Sequence, residues 1–175
     1  FALQKFIEAV NVNIDNKDNF QFYINVESKN TYENLDKILS SPSSKLLSGI
    51  VVGRSDLTKS FGYGKQDVVS DEMCDIVTDI LKQAKDYGFK TVMGGNIGSS
   101  SIDFITKLYE DKLLNNIETR NVIIDLDKVD ISNINKLIKD ALFFESNWLN
   151  YKSQYYNKIG NEYTNRAKII LDRIS

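Results

Sequence analysis

Apolar residues recur at two different spacings along the chain, and these spacings predict strands that alternate with helices. The runs at residues 20–26 and 49–53 have the length of strands, and the second run lacks the polar alternation of a half-exposed strand. The clearest helix follows Ser70, a residue type that caps helix N-termini, and its apolar spacing continues to Gly88, a typical C-terminal stop. The pattern therefore predicts an α/β protein.

The remaining elements follow the same alternation. We expect a first helix over residues 1–12 and a second helix that begins at Asn30, with Glu33 as its capping-box partner. A third strand at residues 90–93 leads into another helix, and a fourth strand lies between residues 117 and 124. Strands that alternate with helices of this length form a parallel sheet with right-handed crossovers.

Beyond residue 130 the helical spacing continues without another strand, in one long helix and a further helix after Gly160. Four β-α units amount to half of a (β/α)8 TIM barrel, whose usual size is about 250 residues. We therefore expect a partial barrel over residues 1–129 and a C-terminal helical extension over residues 130–175. An open doubly wound sheet of four strands is the alternative.

Composition limits the possible functions of the chain. A 42% apolar content and 26% charged residues are typical of one globular domain, and a net charge of -2 gives no basic footprint for nucleic acid. No apolar run approaches the length of a membrane span, so we expect a cytoplasmic protein. The chain contains no histidine, which excludes catalysis by a His base within these residues. The sequence begins at Phe1 inside a helical pattern, so we expect it to be a fragment. Its single cysteine, Cys74, falls on an apolar helix face, and we expect it to be a packing residue.

Two acidic residues follow successive predicted strands. Glu27 comes after the first strand and Asp56 comes after the second, and parallel strands bring their carboxyl ends to one edge. Two carboxylates completed by water form a usual Mg²⁺ or Mn²⁺ site. The alternative is that Glu27 pairs with Lys29 and that Asp56 caps the turn before Lys59.

The segments around these acids resemble a known family. Residues 24–27 (INVE), residues 32–39 (YENLDKIL) and residues 49–62 (GIVVGRSDLTKSFG) are similar, in order and separation, to motifs of the HpcH/HpaI aldolase and citrate lyase beta-subunit family. The resemblance covers residues 20–62, and it implies that the chain is the second half of a TIM barrel, with units 5 to 8. It also implies an Mg²⁺ or Mn²⁺ ion held by Glu27 and Asp56.

The same resemblance implies a function. It implies a metal-dependent carbon-carbon lyase that acts on a 2-oxo acid or an acyl thioester through a metal-stabilised enolate. The substrate carboxylate would lie beside Gly53, Arg54 and Ser55, and the catalytic base would lie upstream of Phe1. Many relatives have a small residue where Arg54 stands, and its side chain either serves an acidic substrate as a cation or points outward into an ion pair. The alternative function is a non-catalytic half-barrel that serves in binding or assembly.

Three further features leave alternatives open. The loop at residues 94–101 (GGNIGSSS) either binds a phosphate or coenzyme A moiety, as in an isomerase barrel, or is a tight turn with a serine cap, which we favour. Glu118 and Arg120 are either substrate contacts or an ion pair, and we favour the ion pair. The C-terminal segment is rich in aromatic residues, and this excess predicts a subunit interface in a homo-oligomer.

Overall fold

A computed structural model describes residues 2–174 of the chain, so that Phe1 and Ser175 lie outside the described residues. The protein has a mixed α/β fold with one five-stranded sheet, in which the strands follow one another in sequence order. The strands are β1 (Phe22–Val26), β2 (Leu47–Gly53), β3 (Lys90–Gly94), β4 (Asn116–Glu118) and β5 (Ile123–Asp125). The first four are parallel and β5 is antiparallel to β4. A doubly wound sheet reverses its strand order at a switch point, and the described strands show no such reversal.

Seven α-helices and several short 3-10 turns connect and flank the strands in the described part of the chain. The helices are α1 (Ala2–Asn13), α2 (Lys29–Glu33), α3 (Leu35–Leu39), α4 (Arg54–Ser60), α5 (Asp71–Asp86), α6 (Ile102–Glu110) and α7 (Ile134–Leu171). The predicted caps of α5 are confirmed: Ser70 Oγ accepts the Met73 N–H at 3.3 Å, and Gly88 has a left-handed φ of +79° after the helix ends.

Three boundaries differ from the prediction. The second helix is capped by Ser28, whose Oγ accepts the Thr31 N–H at 3.1 Å, and it is interrupted at Asn34. The predicted fourth strand is a hairpin of β4 and β5, because a turn at residues 119–122 reverses the chain with a Thr119 N–H to Val122 O bond of 2.8 Å. The two predicted C-terminal helices are one helix, since Gly160 continues α7 instead of ending it.

The hydrophobic core lies against one face of the sheet. Each of β1, β2, β3 and β4 directs at least one fully buried apolar side chain to this face, where it packs with α3, α5 and α6; these side chains are Val26, Ile50, Val52, Met93 and Ile117. Successive residues of a strand point to opposite faces. The opposite face therefore receives Tyr23, Asn25 and Glu27 from β1, and it is polar along that strand.

The helix α7 extends far beyond the core. It contains 38 residues, which corresponds to a length of about 57 Å, and its buried residues all lie in its first third: Ile134, Ile138 and Ala141. From residue 142 onward nearly every side chain is exposed, including many aromatic ones. None of the described helices, α7 included, combines the length and the apolar character that crossing a bilayer requires.

Candidate functional site

The carboxyl edge of the parallel strands carries two glutamates and two glycines in one row. Gly53 at the end of β2 pairs with Gly94 at the end of β3. Glu27 follows Val26, the partner of Val52, so it stands beside Gly53. Glu118 follows Ile117, the partner of Met93, so it stands beside Gly94. The row therefore reads Glu27, Gly53, Gly94, Glu118 across the four parallel strands.

Each glutamate side chain lies over the neighbouring glycine. A Cβ atom added at Gly53 would lie 2.5 Å from Glu27 Oε1, and one added at Gly94 would lie 2.8 Å from Glu118 Cγ. Real Cβ atoms do not approach other atoms so closely, so both positions need glycine for the glutamates to keep their places. Adjacent strands are about 4.8 Å apart, so the two carboxylates lean toward each other over the middle of the sheet.

The negative charge of Glu27 acts on the Glu118 carboxyl group. Partial burial raises the pKa of Glu118 above its ordinary value, and the negative charge of Glu27 raises it further. Asn25 Nδ2 donates to Glu27 Oε1 at 3.0 Å and holds this carboxylate in place. The edge thus concentrates negative charge in a partly buried setting, which favours a proton or a cation.

Asp56 lies at the same edge, in the first turn of α4 directly after β2. Its side chain is exposed, and it lines a small cavity of about 240 Å³ together with Ser55, Lys59, Tyr63 and Lys65. The alternative pairing of Glu27 with Lys29 is wrong, because Lys29 Nζ lies 3.9 Å from Glu33 Oε1 instead. Within residues 2–174 neither Glu27 nor Asp56 makes an ion pair, and no group of three or more metal-ligating side chains occurs.

The side chain of Arg54 is buried, with 1% of its surface exposed, so the alternative of an outward ion pair is wrong. Its Nη2 donates to Gly95 O at 2.9 Å, to Asn96 O at 3.3 Å and to Ser101 Oγ at 2.9 Å, and its Nε donates to Gly95 O at 3.2 Å. Its Nη1 is buried without a partner in the described structure. Burial lowers the pKa of Arg54 to about 10, which leaves the guanidinium charged at neutral pH. Arg54 therefore ties the start of α4 to the loop that follows β3.

A larger cavity of about 560 Å³ opens beside the glutamate row, within the usual size of small-molecule sites. Ser55, Glu118 and Arg120 line it, as do residues of the loop after β3, and α7 closes one side with Leu142 and Glu145. The favoured ion pair between Glu118 and Arg120 is absent from the described salt bridges. Both residues line the cavity instead, Glu118 from the end of β4 and Arg120 from the turn that follows.

The lone cysteine is not part of this cavity. Cys74 lies on α5, is only partly buried, and has a pKa raised mainly by burial. A raised pKa keeps the thiol protonated and unreactive, in agreement with a packing role.

Comparisons with known proteins add a structural likeness. No family model matches the chain, and no curated protein matches it. Among solved structures, it is similar to the citrate synthase SbnG, with a TM-score of 0.46 and 15% identity over 74% of this chain. A variant of the same enzyme has a TM-score of 0.46 and 16% identity over 73% of this chain. The chain spans about half the length of these two structures, 46% and 49% respectively.

Proposed function

We propose that the chain is the metal-binding half of a metal-dependent carbon-carbon lyase of the aldolase and citrate lyase type, which acts on a 2-oxo acid or an acyl thioester. The observation that carries this proposal is that Glu27 and Asp56 follow adjacent parallel strands at one edge, where Ser55 and Glu118 line a cavity of substrate size. The sequential strand order supports the further proposal that the sheet is the second half of a (β/α)8 barrel.

The residues at this edge fit a hard divalent cation. Glu27 and Asp56 offer the carboxylate oxygens that Mg²⁺ and Mn²⁺ prefer, and two protein ligands leave positions for water and substrate. The absence of a Cβ at Gly53 gives the Glu27 carboxylate its place over β2, the strand that leads to Asp56. Glycine at this position is therefore required for the observed placement of Glu27, one of the two proposed ligands.

The roles of the chain's own residues follow from their positions. Glu27 and Asp56 would hold the cation, which supplies the positive charge that stabilises an enolate more than its keto form. Ser55 is exposed at the larger cavity, where its hydroxyl and the backbone beside Gly53 would bind a substrate carboxylate. Arg54 holds this end of α4 in place through its hydrogen bonds to the loop after β3. The base that moves the substrate proton is not assigned, and we expect it on the other half of the barrel.

A Mn²⁺ titration of the chain, followed by electron paramagnetic resonance, tests the metal site. We expect Glu27→Gln and Asp56→Asn each to weaken Mn²⁺ binding at least about tenfold, which is about 1.4 kcal/mol, because each removes one ionised ligand. Matched controls are Glu110→Gln and Asp86→Asn, since these exposed acids end helices α6 and α5, away from the cavity. Retention of wild-type affinity in both Glu27→Gln and Asp56→Asn would contradict the metal site.

The variant Glu118→Gln distinguishes two arrangements of the ligands. If Glu27 and Asp56 bind the ion, Glu118→Gln leaves affinity nearly unchanged, because Glu118 only adds charge nearby. If Glu27 and Glu118 bind it across Gly53 and Gly94, Glu118→Gln abolishes binding and Asp56→Asn has no effect. The second result would replace Asp56 by Glu118 in the site.

A second candidate function, assembly, is favoured by the exposed part of α7. The accessible surface of the chain is 11348 Å², whereas a compact monomer of this mass exposes about 8,700 Å². The excess of about 2,600 Å² exceeds the area that a standard protein interface removes from both partners, about 1,600 Å². The chain as a whole therefore has enough uncovered surface for a stable complex, and α7 contributes exposed aromatic residues such as Phe144, Trp148 and Tyr155 to it.

We propose a second copy of this chain as the partner of α7. The apolar positions of the helix step by three and four residues from its buried start into its exposed part, as in a coiled-coil seam; they are Ile134, Leu137, Ala141, Phe144, Trp148, Tyr151 and Tyr155. One continuous seam that begins on the domain and ends in solvent suits a symmetric pair of identical helices. Sedimentation should give a dimer at micromolar concentration, and Trp148→Glu should dissociate it. A monomeric wild-type chain would refute the dimer.

A further inference from the structure

The loop that follows β3 has two sides with opposite polarity. On its buried side, the carbonyl oxygens of Gly95 and Asn96 accept hydrogen bonds from Arg54, at 2.9 Å and 3.3 Å from Nη2. The C=O and N–H of a trans peptide unit point in opposite directions. The N–H groups that share these two peptide units belong to Asn96 and Ile97, and they must therefore point away from the guanidinium.

The other side of the loop is a wall of the larger cavity. Gly95, Asn96 and Ile97 all line this cavity, whereas the buried Arg54 does not. Within residues 2–174 neither the Asn96 N–H nor the Ile97 N–H has a hydrogen-bond acceptor. Two adjacent donors without acceptors at a cavity wall are ready to bind an external acceptor.

The backbone of the loop is held in an unusual shape. Gly95 has a φ of +81° and Asn96 has a φ of +53°, so two consecutive residues are left-handed. A Cβ at Gly95 would lie 2.6 Å from the Ser55 N atom, so α4 packs tightly against this point of the loop. These two residues form a tight turn, and successive N–H groups in a turn form a concavity that binds anions. The contacts with α4 and Arg54 fix that concavity before any ligand arrives.

The charges around the loop also favour an anion. Lys65 and Arg120 line the same cavity, and Ser55 adds a hydroxyl donor. Behind the loop, the buried guanidinium of Arg54 has no carboxylate partner among the described residues, so its charge is not neutralised locally. Two carboxylates, Glu118 and Glu145, line the cavity as well. They disfavour a polyanion that fills the whole cavity and favour a ligand with one anionic end at the loop.

We infer that the Asn96 and Ile97 amides, together with Lys65 and Arg120, form a binding site for the single oxyanion group, a carboxylate or a phosphate, of a small-molecule ligand. Arg54 is the positioning residue of this site: it holds the carbonyl side of the loop and thereby directs the amide side into the cavity. The inference requires neither a metal ion nor lyase chemistry, so it stands or falls separately from the proposed function.

The test is an amide chemical-shift titration of the ¹⁵N-labelled chain in EDTA, with inorganic phosphate in one series and acetate in another, at constant ionic strength set with chloride. We expect the Asn96 and Ile97 amide protons to move downfield and to saturate, since both gain a charged acceptor. The Gly62 and Gly88 amides, which also belong to left-handed residues, are internal controls and should not move. The anion that saturates at lower concentration identifies the group that the site prefers.

Charge variants distinguish a specific anion-binding site from nonspecific electrostatic attraction of anions. Lys65→Gln and Arg120→Gln should each weaken binding about two- to fivefold, as expected for exposed charges. Lys82→Gln on α5 removes an equally exposed charge outside the cavity and should have no effect. Equal weakening by all three variants would show nonspecific attraction and would overturn the inference.

The variant Arg54→Met tests the positioning role. If the variant folds, as judged by circular dichroism, we expect a loss of more than tenfold in anion affinity, and Arg54→Lys should restore little of it because an ammonium lacks the planar fork. Wild-type affinity in a folded Arg54→Met would overturn the role of Arg54. If the variant does not fold, the wild-type titration still decides the site, because unshifted or unsaturated Asn96 and Ile97 amides with both anions would refute it.

Discussion

Two glycines on β2 make a matched pair of substitutions with different expected outcomes. Gly49 and Gly53 lie on the same face of the strand, four residues apart, and both have a close neighbour where a Cβ would be. At Gly53 the neighbours are atoms of the Glu27 side chain, at 2.5 Å to 2.9 Å. At Gly49 they are the Lys90 carbonyl oxygen, which belongs to the backbone of β3, and the ring of Tyr23.

The free energies of unfolding should therefore differ. In Gly49→Ala the new methyl group meets a backbone atom inside the sheet, and overpacking of this kind costs about 1–3 kcal/mol or more. In Gly53→Ala the half-buried Glu27 side chain can rotate away, which costs roughly one hydrogen bond to Asn25, about 1 kcal/mol. The smaller entropy of an alanine in the unfolded chain returns about 0.4–1 kcal/mol in both variants. We expect the free energy of unfolding of Gly53→Ala to lie within about 1 kcal/mol of the wild-type value, and Gly49→Ala to be clearly less stable.

The Mn²⁺ affinity should change more in Gly53→Ala than in Gly49→Ala, the reverse of the order expected for stability. Displacement of Glu27 removes a proposed ligand, so Gly53→Ala should bind Mn²⁺ at least about tenfold more weakly, while folded Gly49→Ala should bind it normally. Urea denaturation measures the first effect and the Mn²⁺ titration measures the second. A Gly53→Ala variant that loses as much stability as Gly49→Ala would refute the assignment of Glu27 as its flexible neighbour. Unchanged Mn²⁺ affinity in Gly53→Ala would refute the link between this glycine and the metal site.

Three further substitutions test separate parts of the structure. Ser70→Ala removes the cap of α5 and should cost about 1 kcal/mol in urea denaturation, whereas an unchanged midpoint would contradict the cap. Gly88→Ala places a Cβ on a left-handed residue and should cost about 1–2 kcal/mol, and a neutral effect would contradict that conformation. Glu118→Gln should stabilise the metal-free protein at neutral pH, because the raised pKa of Glu118 means that the folded state disfavours its ionised form. This gain in stability should disappear as the pH falls below 4.5, the ordinary pKa of a glutamate, because Glu118 is then protonated in both the folded and the unfolded state. A gain that persists at low pH would contradict the raised pKa as its cause.

The parts of the fold that sequence reasoning predicted correctly are those with a local signal. The strand at residues 49–53 is a continuous apolar run, and α5 has a cap, a periodic apolar stripe and a terminal glycine. The β4–β5 hairpin was missed because its turn contains neither glycine nor proline, so the apolar residues on either side looked like one strand. Gly160 was misread as a stop, although glycine inside an exposed helix costs only about 1 kcal/mol.

The least predictable parts of the site involve the backbone. The sequence leaves two roles open for Arg54, a cation for an acidic substrate or an outward ion pair. The structure excludes the outward ion pair, and the main partners of Arg54 are carbonyl groups of the loop after β3. Any residue supplies a carbonyl group, so no sequence pattern marks such a partner. The spacing of two residues favours an ion pair between Glu118 and Arg120, but β4 ends at Glu118, so the two residues do not share a strand face.

The row of Glu27, Gly53, Gly94 and Glu118 nevertheless contained a signal that could have been used. At both strand ends the glutamate side chain occupies space that a Cβ on the adjacent strand would need. Gly53 and Gly94 are the last residues of neighbouring strands, and each has an acidic residue beside it on its outer side. Glycines that end adjacent parallel strands thus predict that the flanking side chains converge, and this convergence couples the pKa of Glu118 to the charge of Glu27. A substitution at either glycine should therefore displace a carboxylate that belongs to a different strand.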